Sequence, residues 1–464
     1  MKDLSEGHVF KLLISFSIPM IVGNLFQAAY SIIDGVFVGR ILGHVALAAV
    51  SISTPLIFFL VAILIGLGIA AVVLVGQAYG AKNHELLSRI LVNSFTLNVS
   101  VSVLITLSII IWGRGMLALI NTPEGLMEDA YLFLSWFASG FIFMVVNNWI
   151  MGVMRGLGDS RTPMYMTGLT VLLNILFIPF LIKGAGPIPP LGVRGSALST
   201  VLANMVTTAV SYVYLARKNH VLDFGRWRWV FDRDIIAKII KLGLPTSLQM
   251  LIVSFSGIVL MGLVNLFGDA VIAAYGIGLR VENFSVLPAM SIGVAVSTMV
   301  AQSIGAGKIE RAREITVAAT RFTLAVSAAV IVVCTFLPEW ISIIFTNEAA
   351  VISHAALYLR IMCWAYLNLS LFFILQSTVR GAGSVTVPLV FSILTMSARI
   401  AFAYALSRHT PLNETGIWIG IFISTLVGLG LMFVYYQKGS WHRKKIIETG
   451  PVPPLAGIPE EDIL

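Results

Sequence analysis

Long apolar segments are the feature of this sequence that most restricts how the chain can fold. They recur along all 464 residues, and each has about the length, 20 to 30 residues, of a helix that crosses a bilayer. This signal differs from the weak alternation typical of a transmembrane β-barrel. A composition of 58% hydrophobic and 11% charged residues also excludes a water-soluble globular protein of this size. The chain is therefore expected to be an all-α protein that lies in the lipid bilayer.

Apolar runs and the polar residues between them predict twelve transmembrane helices, six in each half of the chain. The predicted spans lie near residues 12–38, 45–74, 90–112, 131–153, 163–183 and 193–216, and then near 239–265, 270–302, 315–337, 355–378, 386–407 and 415–437. Residues 1–216 are predicted to form an N-terminal lobe and 242–437 a C-terminal lobe. The charged segment 217–241 is predicted to be a cytoplasmic linker, and 438–464 a cytoplasmic tail.

The distribution of basic residues predicts the orientation of the spans. If the spans are numbered as above, 22 of the 30 Lys and Arg residues fall on one side of the membrane. Basic residues concentrate on the cytoplasmic side, so both termini are expected to be cytoplasmic, as in a multi-pass protein of the inner cell membrane. The same distribution explains the net charge of +8 without nucleic-acid binding, and no nucleic-acid partner is expected.

The two halves of the sequence repeat each other at an offset of 225 residues. Val75–Ala81 matches Val300–Ala306, and Arg155–Gly158 matches Arg380–Gly383. An even number of spans per repeat brings both halves into the membrane in the same sense. We therefore predict two six-helix lobes related by a pseudo-two-fold axis along the membrane normal, the arrangement of many alternating-access transporters. A two-lobe monomer would already enclose a transport path, so a monomer is expected.

Asp34 is the residue of the first span that most requires a functional reason. A carboxylate in a lipid-facing position costs roughly 2.5–3.5 kcal/mol, so it normally faces protein or water. Helical spacing places Tyr30 and Gln27 on the same stripe, which predicts the polar wall of a cavity. Pro19 removes one helical hydrogen bond below this stripe and is predicted to be a hinge. The simpler alternative is that Asp34 lies at the helix end and reaches the membrane interface.

Two further groups within predicted spans are candidates for function. In the second half, Arg280, Glu282 and Arg399 form a predicted polar cluster. Arg280 and Glu282 are two residues apart on one helix and do not face each other, so Glu282 is expected to pair with Arg399. This pair is either a static ion pair or part of the coupling machinery. In the first half, Met151 belongs to a methionine-rich span that offers either an adaptable substrate surface or ordinary core packing.

Six short motifs follow one another over both repeats: Ser17–Met20, Asp34–Gly39, Ala46–Val50, Gly76–Gly80, Arg155–Ser160 and Ala274–Asn283. In their order and spacing they resemble the multidrug and toxic compound extrusion (MATE) family, and within it the branch of the DNA-damage-inducible F proteins. The resemblance implies a twelve-helix, two-lobe transporter that exports organic cations and amphipathic drugs in exchange for H⁺ or Na⁺. It also implies roles at the drug and ion site for Gln27, Tyr30, Asp34, Asn147, Asn148, Asn174 and Thr200.

The coupling ion is predicted to be a proton, with sodium as the alternative. Where many relatives carry a second aspartate this chain has Ile178, and where the sodium-coupled branch carries a glutamate the nearest polar residue is Gln249. A lone carboxylate suits a proton, whereas Na⁺ needs several oxygen ligands. We expect protonation of Asp34 to rearrange its contacts with Asn174 and Thr200. No metal and no other cofactor are expected.

Other classes of protein fit the sequence less well. No arrangement of nucleophile and base indicates an enzyme, and Gly305–Lys308 lacks the sequence and the preceding strand of a phosphate-binding loop. A flippase for lipid-linked precursors shares the two-lobe plan and remains the main alternative to an exporter of drug-like small molecules. A receptor or scaffold would leave Asp34 and the repeat unexplained.

Overall fold

A computed structural model describes residues 3–184, 189–217, 222 and 229–443, and within these it is helical, with no β-strand. The α-helices are α1 (Val9–Leu42), α2 (His44–Gly80), α3 (His84–Leu119), α4 (Glu124–Ser139), α5 (Phe141–Gly156), α6 (Arg161–Lys183), α7 (Val193–Arg217), α8 (Arg233–Val264), α9 (Asp269–Gly305), α10 (Ile309–Phe336), α11 (Pro338–Ile343), α12 (Ala349–Gly381), α13 (Thr386–Arg408) and α14 (Asn413–Gln437). Short 3₁₀ helices cover Asn265–Phe267 and Ser440–Arg443.

The helices confirm an all-α membrane fold. Among the described residues, eleven helices are long and apolar enough to cross a membrane, and the pair α4 and α5 makes a twelfth span if it is taken as one. Most helices extend a few residues beyond the predicted spans, because the apolar stretch covers the hydrocarbon core while the helix continues into polar sequence. The predicted second span, 45–74, for example, lies within a helix that continues to Gly80.

The fourth span is not the single segment 131–153 that the sequence predicts. It is broken at Gly140, where α4 and α5 meet at an angle of 51°. A Cβ atom at Gly140 would lie 2.1 Å from a methyl group of Val201 in α7. The glycine therefore lets α7 approach the break more closely than any other residue would allow.

The predicted linker 217–241 is partly helical, because α8 already begins at Arg233. The Asp232 carboxylate accepts hydrogen bonds from the backbone N–H groups of Asp234 and Ile235 at 3.0 and 3.2 Å, as an N-cap does. The other oxygen of Asp232 binds Arg89 of α3 at 2.6 Å. Most of the preceding segment, and the tail beyond Arg443, lie outside the described residues.

The described residues divide into two compact units. Unit 1 lies within Ile18–Ser247, and unit 2 consists of Asp3–Ser17 and the described residues from Leu248 onward. Helices α1 and α8 therefore each pass from one unit to the other. This division differs from the predicted lobes 1–216 and 242–437, because the start of the chain packs with unit 2 and the start of α8 packs with unit 1.

Unit 1 is built on α2, which packs against α3, α4 and α5. Its main apolar core includes Leu64, Ile105, Leu134 and Phe141, all of them buried. A second apolar cluster joins Val38 of α1 to α2, α4, α6 and α7. This second cluster holds the end of α1 beside the helices that bear the polar residues described below.

Unit 2 is built on the pairing of α9 with α12, and α14 packs against both α12 and α13. An aromatic group fills its core. The ring of Trp418 stacks on Tyr275 at 5.5 Å between centroids and meets Tyr358 edge-on at 4.7 Å. All three side chains are buried, so unit 2 has a bulky aromatic core.

The beginning of the chain docks on unit 2 before α1 starts. The Leu4 N–H donates to the side-chain oxygen of Gln302 in α9 at 2.9 Å, and the Leu4 side chain is 1% exposed. The guanidinium of Arg311 in α10 donates to the backbone oxygens of Leu4 and Gly7 at 3.4 and 2.9 Å. Because these hydrogen bonds are made to backbone atoms of the segment, they do not depend on the identity of its side chains.

The two glycines of each Arg-Gly-x-Gly repeat have separate structural roles. A Cβ atom at Gly156 would lie 3.0 Å from a backbone oxygen of α2, and one at Gly381 would lie 2.5 Å from a backbone oxygen of α9. Gly158 and Gly383, which follow the helix ends, have φ values of 83° and 94°. In both units, therefore, the first glycine of the Arg-Gly-x-Gly motif allows close helix packing and the second allows the turn that follows the helix.

Candidate ion-coupling and substrate site

Asp34 lies two turns before the end of α1 and is half-buried within unit 1. Its Oδ1 atom is enclosed and has no hydrogen-bond partner, and among the described residues no cationic side chain pairs with it. Ser196 of α7 lies close enough to interact with this carboxylate, and its hydroxyl is also buried without a hydrogen-bond partner. The site therefore holds a carboxylate in uncharged surroundings, with one oxygen free to change its bonding.

The contact between α1 and the polar residues of α6 and α7 runs through Tyr30. Its hydroxyl shares a hydrogen bond of 2.9 Å with the Thr200 hydroxyl. The buried Asn174 amide donates to the hydroxyls of Thr200 and Ser199, both at 3.2 Å. Asn174 and Thr200 are thus brought together, while Asp34, one helical turn from Tyr30, makes no direct hydrogen bond to either of them.

A second group of polar side chains continues from Thr200 across α5, α6 and α7. Asn204 donates to the Thr200 backbone oxygen at 2.9 Å and accepts from Asn147 at 3.2 Å. Asn147 also donates to the Thr170 hydroxyl at 3.4 Å, and Thr170 donates to Thr207 at 3.0 Å. The Asn147 side-chain oxygen is buried without a partner. The result is a connected, uncharged hydrogen-bond network inside unit 1.

The other residues predicted at the substrate site differ in exposure. Gln27 and Asn148 are exposed on unit 1, and the Asn148 amide donates only to the Met144 backbone oxygen of its own helix, at 2.9 Å. Met151 is half-buried and accepts a hydrogen bond at its sulfur from Thr167 of α6, at 3.3 Å. Gln27 and Asn148 are therefore not enclosed by other helices of unit 1, whereas Met151 lies at the contact between α5 and α6.

Pro19 lies close to the point where α1 passes from unit 2 to unit 1, which falls between Ser17 and Ile18. The helix continues through the proline from Val9 to Leu42. In α8 the corresponding point falls between Ser247 and Leu248, and Pro245 lies beside it. Each connecting helix thus lacks one backbone hydrogen bond near its crossing point.

The predicted polar cluster of unit 2 separates into two parts. The Arg280 guanidinium lies 5.6 Å from the ring centroid of Phe345, in a cation–π contact. The Glu282 carboxyl lies within the electrostatic range of Arg399 of α13, whose Nε atom is buried without a hydrogen-bond partner. Glu282 and Arg399 are thus an acid and a cation from different helices, both half-buried.

Sequence reasoning did not identify several members of the polar network in unit 1. These residues are Thr170, Ser196, Ser199, Asn204 and Thr207. Each is a small polar residue inside an apolar span, and such residues commonly bond their own helix backbone. A signal was nevertheless present, because Ser196, Ser199, Asn204 and Thr207 recur at helical spacing on the face of α7 that bears Thr200.

The fold and this site define a polytopic membrane transport protein. The model of the MatE family matches residues 19–180 and 245–405, two ranges that begin 226 and end 225 residues apart. This spacing agrees with the internal repeat. The chain belongs to the MatE family, and it is a membrane transporter and not an enzyme.

Curated relatives and solved structures match almost the entire chain. The Probable multidrug resistance protein YoeA of Bacillus subtilis (strain 168) is 32% identical over 448 residues, which cover 95% of this chain and 96% of that protein. The Probable multidrug resistance protein YpnP of the same strain is 28% identical and covers 96% and 98%. An outward-facing structure of a multidrug resistance MATE family transporter superposes with a TM-score of 0.87 at 24% identity, over 95% of this chain and 98% of that one, and shows the same fold.

Proposed function

We propose that this protein exports organic cations and amphipathic drugs in exchange for protons that bind and leave Asp34. Export of drugs is supported by the family and by relatives named as multidrug resistance proteins. The coupling role is supported by one observation in particular, the enclosed and unpartnered Oδ1 atom of Asp34 in uncharged surroundings.

The surroundings of Asp34 make its two protonation states differ in energy. An ionised carboxylate that is half-buried without a cation loses hydration and gains little in return. When it is protonated it is neutral, and it acquires a hydrogen that it can donate to a hydroxyl. Opening the site to water would favour the ionised form again. Exposure to one side of the membrane and then the other can therefore drive proton uptake and release.

Protonation of Asp34 would act on the drug site through the hydroxyls of α7. A protonated Asp34 can donate to Ser196 or compete with Tyr30 for Thr200, whose hydroxyl also binds Asn174. Either change alters how α1 lies against α7. We propose that α1 then bends near Pro19 and that the drug site shrinks and releases the drug. The proton leaves to the cytoplasm when the site faces inward.

A proton fits this chain better than sodium, which stays the alternative. Ile178, the position of a second aspartate in many relatives, is fully buried in an apolar cluster with Val38 and Phe133. Gln249, the polar residue nearest to the position of the glutamate in sodium-coupled relatives, donates to Ser392 at 2.9 Å. Neither position supplies the charged oxygen that a cage for Na⁺ would need.

The setting of the transporter also belongs to this proposal. We expect it in the inner cell membrane with both termini in the cytoplasm, as the basic residues predict. We expect it to act as a monomer, without a nucleic-acid partner, and to belong to the branch of the DNA-damage-inducible F proteins.

The proposal is tested by efflux of a fluorescent cationic dye from vesicles that contain the purified protein. A pH gradient and a Na⁺ gradient are imposed separately, on the wild type and on Asp34→Asn. We expect efflux with the pH gradient alone and its loss in the variant. Asp269→Asn, which removes an exposed carboxylate at the start of α9, is the matched control and should retain efflux.

The other outcomes lead to different conclusions. Sodium-driven efflux that survives Asp34→Asn would refute the proton scheme and move the ion site to unit 2, where Glu282 is the next carboxylate to test. If neither gradient drives efflux, the flippase alternative becomes the one to examine, with a lipid-linked precursor as the substrate.

A further inference from the structure

Unit 1 contains a cavity beside the last residues of α1. Its volume is about 500 Å³, within the range of roughly 300–1,000 Å³ that is typical of sites for small molecules. The wall is formed by the end of α1, the start of α2, α4 and the start of α7, and it includes Leu42, Val45, Asp129, Leu132, Val193 and Arg194. The cavity is partly open to the surface, so a ligand can reach it from outside unit 1.

The cavity lies where the hydrocarbon core of the bilayer meets the headgroups. Leu42 and Val45 flank the junction between the first two predicted spans, and Asp129 and Arg194 lie within two residues of the predicted starts of the fourth and sixth spans. These span ends share one side of the membrane, opposite the start of α1. The headgroup layer is about 5–7 Å deep on each side of the core. Phospholipid headgroups are therefore the most abundant molecules around this cavity.

Asp129 and Arg194 bring opposite charges to the wall of the cavity but do not pair with each other. Among the described residues neither of them has an ion-pair partner, whereas the neighbouring Glu128 binds Arg114 at 2.7 Å. Asp129 is half-buried, and Arg194 is exposed at the start of α7, where the helix dipole adds to its positive charge. The cavity thus offers a negative group and a positive group separately, beside apolar side chains.

The corresponding place in unit 2 is occupied by a direct contact between side chains. The repeat offset of 225 residues pairs Asp129 with His354, and Glu414 is the second residue of α14 as Arg194 is the second residue of α7. The Nδ1 atom of His354 lies 3.4 Å from a carboxylate oxygen of Glu414. The shared scaffold therefore lets these two positions meet. In unit 1 they stay apart, and a ligand can lie between them.

We propose that this cavity binds the headgroup of a zwitterionic phospholipid that has a primary ammonium group, as phosphatidylethanolamine has. The ammonium donates hydrogen bonds to the Asp129 carboxylate, and the phosphate accepts them from the Arg194 guanidinium. Leu42, Val45 and Leu132 contact the apolar part of the lipid next to the headgroup. The lipid is a bound ligand and not the exported molecule, so the inference does not rest on the proposed function.

Two lipids with identical acyl chains test the proposal, phosphatidylethanolamine and phosphatidylcholine. They carry the same phosphate, but the quaternary ammonium of phosphatidylcholine has no N–H to donate. Native mass spectrometry of the detergent-solubilised protein, titrated with one lipid at a time, measures the affinity for the first lipid that binds. We expect the wild type to bind phosphatidylethanolamine about fivefold more tightly, the scale of one ion pair at a partly exposed site.

The two charged residues should affect the two lipids differently. Asp129→Asn keeps the shape of the side chain and should weaken phosphatidylethanolamine alone, about fivefold, to the level of phosphatidylcholine. Arg194→Gln should weaken both lipids by a similar factor, because both present a phosphate. The matched controls are Glu128→Gln and Arg114→Gln, which remove the charges of the exposed pair next to the cavity and should change neither affinity.

A third variant tests the cavity without changing its charges. Val45 is exposed, so Val45→Trp is compatible with folding, and its indole would fill part of the cavity. We expect it to weaken both lipids. This variant decides the matter if Asp129→Asn or Arg194→Gln does not fold.

The remaining outcomes would overturn the inference. They are a preference for phosphatidylethanolamine that survives Asp129→Asn, lipid affinities that Arg194→Gln leaves unchanged, and weaker binding of a cationic dye in Asp129→Asn with no change for either lipid. The last result would assign the cavity to a drug. Because lipid affinity is measured without transport, loss of proton-driven efflux would refute the proposed function and leave this inference intact.

Discussion

The hydroxyl of Thr200 is the point at which three helices of unit 1 exchange hydrogen bonds. It binds Tyr30 of α1 and Asn174 of α6, and it donates to the Ser196 backbone oxygen at 3.5 Å. A hydroxyl has one hydrogen and two lone pairs, so it cannot gain a bond to Asp34 without changing one of these. Competition for a single hydroxyl is a simple way to connect a proton on Asp34 to the position of a helix.

Thr200→Val tests this connection with almost no change of shape. The variant leaves Tyr30 and Asn174 with one hydrogen bond fewer each, at a cost of about 1–3 kcal/mol in folding free energy. We expect proton-driven dye efflux to fall about tenfold while dye binding persists. Thr208→Val is the control, because the Thr208 hydroxyl donates only to the Phe143 backbone oxygen. Equal efflux from both variants would exclude a special role for Thr200.

Asn147 and Asn148 are neighbours in sequence with different surroundings. Asn147 is 1% exposed and bonds to α6 and α7, whereas Asn148 is exposed and bonds only to its own helix. We expect Asn147→Ala to lower the unfolding temperature in detergent, since it leaves buried partners unsatisfied. Asn148→Ala should keep the wild-type unfolding temperature and change drug dissociation constants. The reverse pattern would contradict this assignment of roles.

Helices α1 and α8 are the two elements that belong to both units, and each has a proline beside its crossing point. Pro19 and Pro245 are in different local sequences but at nearly equivalent places in the repeat. A missing backbone hydrogen bond lowers the cost of bending a helix at that point. The two prolines therefore lie where α1 and α8 can bend at low cost.

Pro19→Ala restores the missing hydrogen bond and should stiffen α1. We expect dye efflux to slow severalfold and the dye dissociation constant to stay the same, because the change acts on a movement and not on a contact. The control is Pro179→Ala in α6, a proline inside a helix that remains within unit 1. A rate unchanged by Pro19→Ala would refute the hinge.

The sequence predicted the helices well because each follows from its own apolar length. It did not predict the break at Gly140, which lies against Val201, 61 positions further along the chain. The early start of α8 had a local signal, the capping residue Asp232. Asp34 was recognisable as a lone carboxylate in an apolar span. The hydrogen bond between Tyr30 and Thr200 was not predicted, because side-chain partners on different helices are set by packing.

At the scale of the whole molecule, the first residues of the chain are held by residues from its second half. Gln302 accepts a hydrogen bond from the Leu4 backbone, and Arg311 donates to two backbone oxygens of the same segment. These are bonds to buried or half-buried groups. Lys308 and Glu6, by contrast, form an exposed ion pair at 3.0 Å.

Gln302→Leu should therefore destabilise the protein more than the loss of the ion pair does. It leaves the buried Leu4 N–H without an acceptor, which costs about 1–3 kcal/mol, whereas an exposed pair contributes about 0–1 kcal/mol. We expect a clear fall in the unfolding temperature for Gln302→Leu and almost none for Lys308→Gln. Similar temperatures for the two variants would show that the segment does not contribute to stability.

The docking of the first residues has a consequence for biosynthesis. A ribosome that adds 5–20 residues per second needs roughly 15–60 s to reach the residues that receive this segment. For most of that time the first span is already made while its leading segment still lacks its permanent neighbours. A cell that makes only the first half of this chain would therefore produce a protein whose first residues lack their binding partners in α9 and α10. We would expect quality-control proteases to recognise this exposed segment.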